Sequence, residues 1–260
     1  LKIKKGFWCE QTTLEGGLNC PLKKIFIILF PFDIMQNEKE QIFRDITYSR
    51  EERIENLMSL LTLEEKIGFL HHTAKDVPRL GIKAYYHGNE ALHGVVRPGK
   101  ATVFPQAIAF GATWDPELIL KVSTAISDEA RAKHHHEPEA WGISNGLLTF
   151  WSPTVNMARD PRWGRTPETY GEDVLLTTRI GLSFVKGLQG DDPNYLKIVS
   201  TPKHYAANNE EHNRLSCNPK IPLVHVREYF LPQFRALIME GKARSIMSAY
   251  NRILGVPCSA

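Results

Sequence analysis

The sequence has few cysteines, no apolar run long enough to cross a bilayer and almost no excess of either charge. Its four cysteines, Cys9, Cys20, Cys217 and Cys258, show no CxxC spacing, so they indicate neither a disulfide framework nor a zinc ribbon. The 32 basic residues nearly balance the 29 acidic ones, and basic runs are absent. This balance argues against a nucleic-acid partner, and the short apolar runs argue against membrane insertion.

Phosphate loops and metal-ligand spacings are missing as well. No glycine-rich loop follows a predicted strand, which weakens a nucleotide-binding interpretation. His134, His135 and His136 are adjacent at a predicted helix end, so they point in different directions and cannot share one metal ion. We therefore expect no cofactor and no metal, with a barrel metalloenzyme as a minor alternative.

The two ends of the chain suggest a piece of a longer protein. The 260 residues begin with Leu1 and stop at Ala260, a few residues past an apolar stretch. Residues 1–35 are interpreted as a leader, because Lys23–Phe32 resembles the basic and apolar regions of a secretory signal peptide. Export to the periplasm or the medium would follow, although a buried N-terminal strand is the competing interpretation. Residues 36–260 are predicted to form one partial domain.

Helical and strand-like patterns alternate after this leader. Capping boxes at Ser49 and Thr62 predict helix starts, and an apolar face from Ile54 to Leu61 predicts burial. Further helices are predicted over 115–134, 176–187 and 225–241, the last with Pro232 in an early turn or at a kink. The predicted strands are Ile82–Tyr86, Thr102–Phe104, Leu147–Trp151, Leu196–Ser200 and Ser245–Tyr250. Such alternation predicts a parallel sheet, either doubly wound or a (β/α)8 barrel.

Polar residues gather directly after the predicted strands, at 87–94, 152–165, 201–209 and 248–251. In a barrel these segments would converge on one face and form a pocket. Its mixture of Arg, Lys, His, Glu and aromatic side chains suits a neutral polyhydroxylated ligand better than a phosphate. Structural interpretations stay open: Glu90 as a helix cap, Lys203-His204 as a buried ion-pair element, and a salt-bridge cluster among Arg159, Asp160, Arg162 and Arg165.

From about Phe43 to Ala260 the sequence resembles the N-terminal (β/α)8 domain of glycoside hydrolase family 3. The resemblance rests on the segments LTLEEKIGFL, NEALHG, TVFPQAIAFGATWD, SPTVNMARDPRWGRTPETYGED, STPKHYAANNEEHNR and SIMSAYNRILGVPCSA. It implies an incomplete TIM-type barrel from a retaining, exo-acting β-glycosidase of xylo-, arabino- or gluco-oligosaccharides, as in xylan catabolism. The segment NEALHGVVRPGKATVFPQA looks most like the β-xylosidase and arabinofuranosidase branch of the family, and many β-glucosidases carry Asp in place of Glu90.

The resemblance also implies roles for individual residues. Those lining the sugar subsite would be Glu90, Arg165, Lys203, His204 and Tyr250. Arg165 would clamp hydroxyls in a bidentate manner, while Asp160 and Glu168 lie behind the arginines and orient them.

Pro202 is expected to end a strand, so that Lys203 and His204 lie at a solvated mouth and donate to the sugar rather than to protein groups. Their truncation should lower kcat/KM by about 10²–10⁴-fold with a smaller loss of stability.

The chain is expected to contain no catalytic carboxylate. In the family the nucleophile is an aspartate on a strand that would follow Ala260, and the acid/base comes from a following domain. The expected partners are therefore an oligosaccharide substrate, the remainder of the barrel and a C-terminal domain. The alternative is a non-catalytic sugar-binding remnant of the same fold.

Overall fold

The structure, a computed structural model, describes residues 41–97, 99–136 and 147–260. The chain divides into two compact units, Leu1–Leu60 and Leu61–Ala260. The predicted leader with its boundary at residue 35, as well as Cys9 and Cys20, lies outside the described residues.

The helices in the described residues are α1 Arg50–Leu60, α2 Leu63–Gly68, α3 Ala107–Ala112, α4 Pro116–His136, α5 Val174–Gln189, α6 Leu223–His225 and α7 Pro232–Met239. Of these, α1, α2 and α4 begin directly after the predicted caps Ser49, Thr62 and Asp115, whereas α3 was not predicted. Thr62 and Glu65 form a reciprocal capping box at α2, and Asp115 accepts from the N–H of Leu118 at 3.0 Å. None of the described helices is long and apolar enough to cross a membrane.

The apolar face predicted to be buried at α1 is buried only in part: Ile54 and Met58 are exposed, whereas Leu61 is buried. Within its unit, α1 is attached to the preceding segment by polar contacts. Arg53 Nε donates to the carbonyl of Phe43 at 2.9 Å, and Asn56 Oδ1 accepts from the N–H of Phe43 at 3.1 Å. These two bonds join the helix to Phe43.

The helix predicted over 225–241 is divided at Pro232. A π-helical turn, Val226–Phe230, follows α6, and Pro232 then starts α7. Proline lacks an N–H group, so it is tolerated in the first turn of a helix but not in its interior. The early-turn alternative for Pro232 is therefore confirmed.

The strands in the described residues are short. They are β1 Thr73–Ala74, β2 Tyr85–Tyr86, β3 Thr149–Phe150, β4 Val199–Ser200, β5 Lys203–Tyr205, β6 Met247–Ser248, β7 Arg252–Ile253 and β8 Val256–Pro257. The pairs β3–β4 and β5–β6 are parallel, whereas β1–β2 and β7–β8 are antiparallel. Parallel bridges also join Asn89 to Phe150 and Thr154 to Lys203. Four segments thus lie side by side in chain order, and the described strands do not close into a barrel.

Two strand predictions need correction. Thr102–Phe104 is not a strand, because the N–H of Thr102 donates to the Glu129 carboxylate instead of to a neighbouring strand. Lys203–Tyr205, predicted as a loop after Pro202, is a strand. Proline removes only its own N–H group, and the Pro202 carbonyl still accepts from the N–H of Met247 at 3.0 Å.

The core is densest where α4 packs against α5. Ile119, Ile126, Ile180 and Phe184 are fully buried there. Small residues allow the two helices to approach closely: Ser127 Oγ donates to the carbonyl of Gly187 at 2.9 Å.

Gly187→Ala should destabilise the protein by about 1–3 kcal/mol. A Cβ atom at this position would lie 2.0 Å from Ser123 Oγ and 2.8 Å from the carbonyl oxygen of Leu120. The intrinsic helix preference of alanine, about 1 kcal/mol, does not offset such a clash. Urea unfolding measures the effect. Gly164→Ala is the control, because a Cβ there meets nothing within 4 Å; equal stability of both variants would contradict the packing argument.

Candidate functional site

The candidate site lies where the four parallel segments end. Glu90 follows the first segment, Ser152 and Asn156 belong to the second, Lys203 and His204 to the third, and Tyr250 follows the fourth. Carboxyl ends of parallel strands share one edge, so side chains distant in sequence meet there. Lys203 and Glu90, which are 113 positions apart, are in direct contact.

Lys203 and Glu90 form the central ion pair, with Lys203 Nζ 2.5 Å from Glu90 Oε1. Ser152 Oγ donates to the other carboxylate oxygen at 3.2 Å and accepts from the N–H of Ala91 at 3.0 Å. Burial raises the pKa of Glu90, and the charge and hydrogen bond of Lys203 oppose that rise. The helix-cap interpretation of Glu90 is wrong, because residues 89–92 are not helical.

His204 is held by Asn156 from an adjacent segment. Asn156 Oδ1 lies 2.9 Å from the backbone nitrogen of His204 and 3.1 Å from its ring Nδ1, and Asn156 Nδ2 donates to the His204 carbonyl at 2.9 Å. Burial, together with the positive charges of Arg165, Lys203 and Arg214, lowers the pKa of His204 to about 2. The imidazole is therefore neutral at physiological pH.

Four side chains of alternating charge, Glu168, Arg165, Glu211 and Arg214, form a row of ion pairs that ends at Tyr250. Arg165 donates from Nε and Nη2 to the two oxygens of Glu168 at 2.9 and 2.7 Å, which is the predicted contact between these residues. Glu211 lies between Arg165, at 3.7 Å, and Arg214, at 3.1 Å. The Arg214 guanidinium lies 5.1 Å from the centre of the Tyr250 ring.

Asp160 does not take the predicted position behind Arg165. It forms a bidentate pair with Arg162, and both side chains are exposed. The hydrogen bonds from Arg162 hold the pKa of Asp160 well below its usual range. Asp160 and Arg162 thus form the structural salt bridge that was one of the open interpretations.

The predicted solvated positions of Lys203 and His204 are wrong. Lys203 is 3% exposed and His204 7% exposed, because β5 lies between two parallel neighbours. Lys203 also donates to a protein carboxylate, so the ion-pair interpretation describes it correctly. Truncation of either residue should consequently reduce stability more than a mouth position would.

Four members of the site were not predicted from the sequence: Ser152, Asn156, Glu211 and Arg214. Asn156 and Thr154 share one face of an extended segment, since side chains alternate along a strand, and this periodicity was an available signal. Glu211 and Arg214 belong to the polar run after residue 209, which pointed to no particular partner. Within the described residues, no three His, Cys, Asp or Glu side chains gather as a metal site.

A parallel α/β domain with polar side chains collected at the strand ends is the arrangement of α/β enzymes. Residues 46–260 match the glycosyl hydrolase family 3 N-terminal domain. The chain belongs to glycoside hydrolase family 3.

Curated relatives and solved structures agree with this assignment. The chain is 38% identical over 224 residues to a xylan 1,4-β-xylosidase of Xylanibacter ruminicola. This match covers 83% of the chain and 26% of the relative. It is 40% identical over 225 residues to β-D-xylosidase 3 of Arabidopsis thaliana, covering 80% of the chain and 28% of the relative. The chain thus spans little more than a quarter of the length of these proteins.

Two solved structures share the fold. A family 3 exo-β-xylosidase in complex with a xylobiose aziridine probe superimposes with a TM-score of 0.76 at 36% identity, covering 84% of this chain and 29% of that one. β-Glucosidase 3B from Thermotoga neapolitana in complex with glucose gives 0.64 at 28% identity, covering 79% of this chain and 30% of that one.

Lys203→Met should destabilise the protein by about 3 kcal/mol near neutral pH, because Glu90 loses the cation that compensates its burial. The raised pKa of Glu90 should rise further. The folded state would then bind the Glu90 proton more tightly than the unfolded state does. The loss of stability should therefore be complete at pH values above the pKa of Glu90 in the folded protein. The loss should become smaller as the pH falls toward the pKa of Glu90 in the unfolded chain.

Urea unfolding over a range of pH tests this expectation. The control is the double variant Lys203→Met with Glu90→Gln, which has no charge to bury and should lose the added pH dependence. A pH-independent loss in Lys203→Met alone would show that packing rather than charge is responsible.

Proposed function

We propose that the chain forms part of the sugar site of a retaining, exo-acting β-glycosidase that removes xylose, arabinose or glucose from the non-reducing ends of oligosaccharides. Hydrolysis would be the activity of the whole protein. The assignment to xylan-type substrates is supported by the similarity to proteins named β-xylosidases.

The observation that carries the proposal is the contact between Lys203 and Glu90. A sugar hydroxyl both donates and accepts hydrogen bonds. An ammonium beside a carboxylate offers it one group of each kind, and the Glu90 side chain is partly accessible. Arg165, which Glu168 holds by two hydrogen bonds, has further N–H groups on Nη1 and Nη2 for a neighbouring hydroxyl.

The chain would supply four consecutive strands of a (β/α)8 barrel. The remaining strands would bring the aspartate nucleophile, and a following domain the acid/base, with the two carboxyl groups about 5–5.5 Å apart as retention requires. The share of the relatives that the chain covers, 26–28%, supports this division.

The full-length gene product should therefore hydrolyse an aryl β-xyloside with retention of configuration, while the 260-residue chain alone should not. Initial-rate assays with 4-nitrophenyl β-D-xyloside, β-D-glucoside and α-L-arabinofuranoside compare the two, and NMR of the first-formed sugar gives its configuration. Turnover by the purified 260-residue chain would place the catalytic carboxylates within it. A full-length product without turnover that still binds xylose would instead be a sugar-binding remnant.

Tyr250→Phe isolates a binding contribution from folding effects, because Tyr250 is 63% exposed. In the full-length protein we expect kcat/KM to fall about tenfold through the loss of one hydrogen bond to the sugar. Thermal stability should be unchanged within about 0.5 kcal/mol.

Tyr195→Phe is the matched control. Tyr195 is 64% exposed and precedes β4, at the opposite end of the parallel segments from the site. It should leave kcat/KM unchanged. Equal kinetics for the two variants would remove Tyr250 from the subsite.

A further inference from the structure

The orientation of the Asn156 side-chain amide is fixed by the backbone of His204. Its Oδ1 lies 2.9 Å from the His204 backbone nitrogen, and its Nδ2 lies 2.9 Å from the His204 carbonyl oxygen. A backbone N–H can only donate and a carbonyl can only accept. If the amide were rotated by 180°, its NH2 group would face the His204 N–H and its oxygen would face the His204 carbonyl. Neither pair could form a hydrogen bond, so the observed orientation is the one compatible with both bonds.

That orientation determines which ring nitrogen of His204 carries the proton. Asn156 Oδ1 also lies 3.1 Å from His204 Nδ1. A carbonyl oxygen can only accept, so the contact requires a proton on Nδ1. A neutral imidazole has one N–H group, and its other nitrogen is then an acceptor. No residue in the described part of the chain forms a hydrogen bond with Nε2.

A second proton on the ring is opposed by its surroundings. Asn156 is 2% exposed and has no charge to compensate an imidazolium. The charged groups that act on the ring, Arg165, Lys203 and Arg214, are all cationic, and together with burial they keep its pKa low. The negative charges of the site are already paired: Glu90 with Lys203, Glu168 with Arg165, and Glu211 with Arg214.

We infer that Asn156 is a positioning residue that holds His204 as the neutral Nδ1–H tautomer, so that Nε2 accepts a hydrogen bond from a donating ligand hydroxyl. This reverses the donor role expected for His204 from the sequence. It rests on the proposed function for the identity of the ligand as a sugar. The tautomer itself follows from the contacts within the chain.

The tautomer is measured by ¹⁵N NMR of the full-length gene product labelled at histidine, with His204→Gln to assign the signals. From about pH 5 to pH 8, Nδ1 should resonate as a protonated, pyrrole-type nitrogen and Nε2 as an unprotonated, pyridine-type nitrogen. A proton on Nε2, or titration of the ring within this range, would overturn the inference.

Two variants separate positioning from a general structural role. Asn156→Asp keeps an acceptor oxygen and should retain the Nδ1–H tautomer, with a higher pKa because its carboxylate favours the imidazolium. Asn156→Leu removes the acceptor and should shift the proton toward Nε2. An unchanged tautomer in Asn156→Leu would show that Asn156 does not set it. The wild-type spectrum decides the tautomer even if this variant does not fold.

Competitive inhibition tests the ligand side, using D-xylose and its deoxy and deoxyfluoro analogues at positions 2, 3 and 4. Fluorine cannot donate a hydrogen bond. At the hydroxyl that faces Nε2, both replacements should therefore weaken inhibition about 5- to 150-fold relative to xylose, since a buried acceptor loses its donor.

In Asn156→Leu, replacing the hydroxyl at that position by fluorine should weaken inhibition less than it does in the wild type. The weakening at a hydroxyl that donates to Glu90 should instead stay the same. Fluoro analogues that inhibit as well as xylose at every position would overturn the acceptor role. Absence of both xylose inhibition and glycosidase activity would refute the proposed function instead, and the NMR result would still decide the tautomer.

Discussion

A lysine amine buried within a sheet requires a carboxylate within hydrogen-bonding distance, and the Lys203–Glu90 pair imposes this requirement on the whole site. Lys203 lies in the third of four parallel segments and Glu90 at the end of the first. Their contact therefore fixes how far each segment extends past its neighbours. Ser152, from the segment between them, completes the contact by donating to the same carboxylate. A shift in the register of any one of these segments would leave a charge buried without its partner.

Local patterns were sufficient to predict most helices and the parallel strands β3, β4 and β6, but not β5. The caps at Thr62 and Asp115 act within four residues, and the apolar spacing of α5 reports directly on its buried face. The convergence of Glu90, Lys203 and His204 was also predictable, because it follows from the geometry of parallel strands. The contact between Arg165 and Glu168 lies within one turn and could be predicted for the same reason.

The failures involve contacts that no local pattern encodes. The burial of Lys203 depends on segments about 50 residues earlier and 40 residues later, and Pro202 was interpreted as a strand end although only its own N–H group is missing. Asp160 could have paired with Arg159, Arg162 or Arg165, and its pairing with Arg162 is visible only in the structure. Asn156 carries no charge and matches no motif, so its hold on His204 is visible only in three dimensions.

The ion pairs of the site differ in how much water surrounds them, and this gives them different responses to ionic strength. The Lys203 side chain is 4% exposed, whereas the Arg214 side chain is 42% exposed. Mobile ions screen exposed charges over a Debye length of about 8 Å at physiological salt but hardly affect buried ones. Added salt should therefore loosen the link from Glu211 through Arg214 to Tyr250 while the Lys203–Glu90 contact keeps its strength. The rim of the site is in this sense adjustable by the medium, and its centre is not.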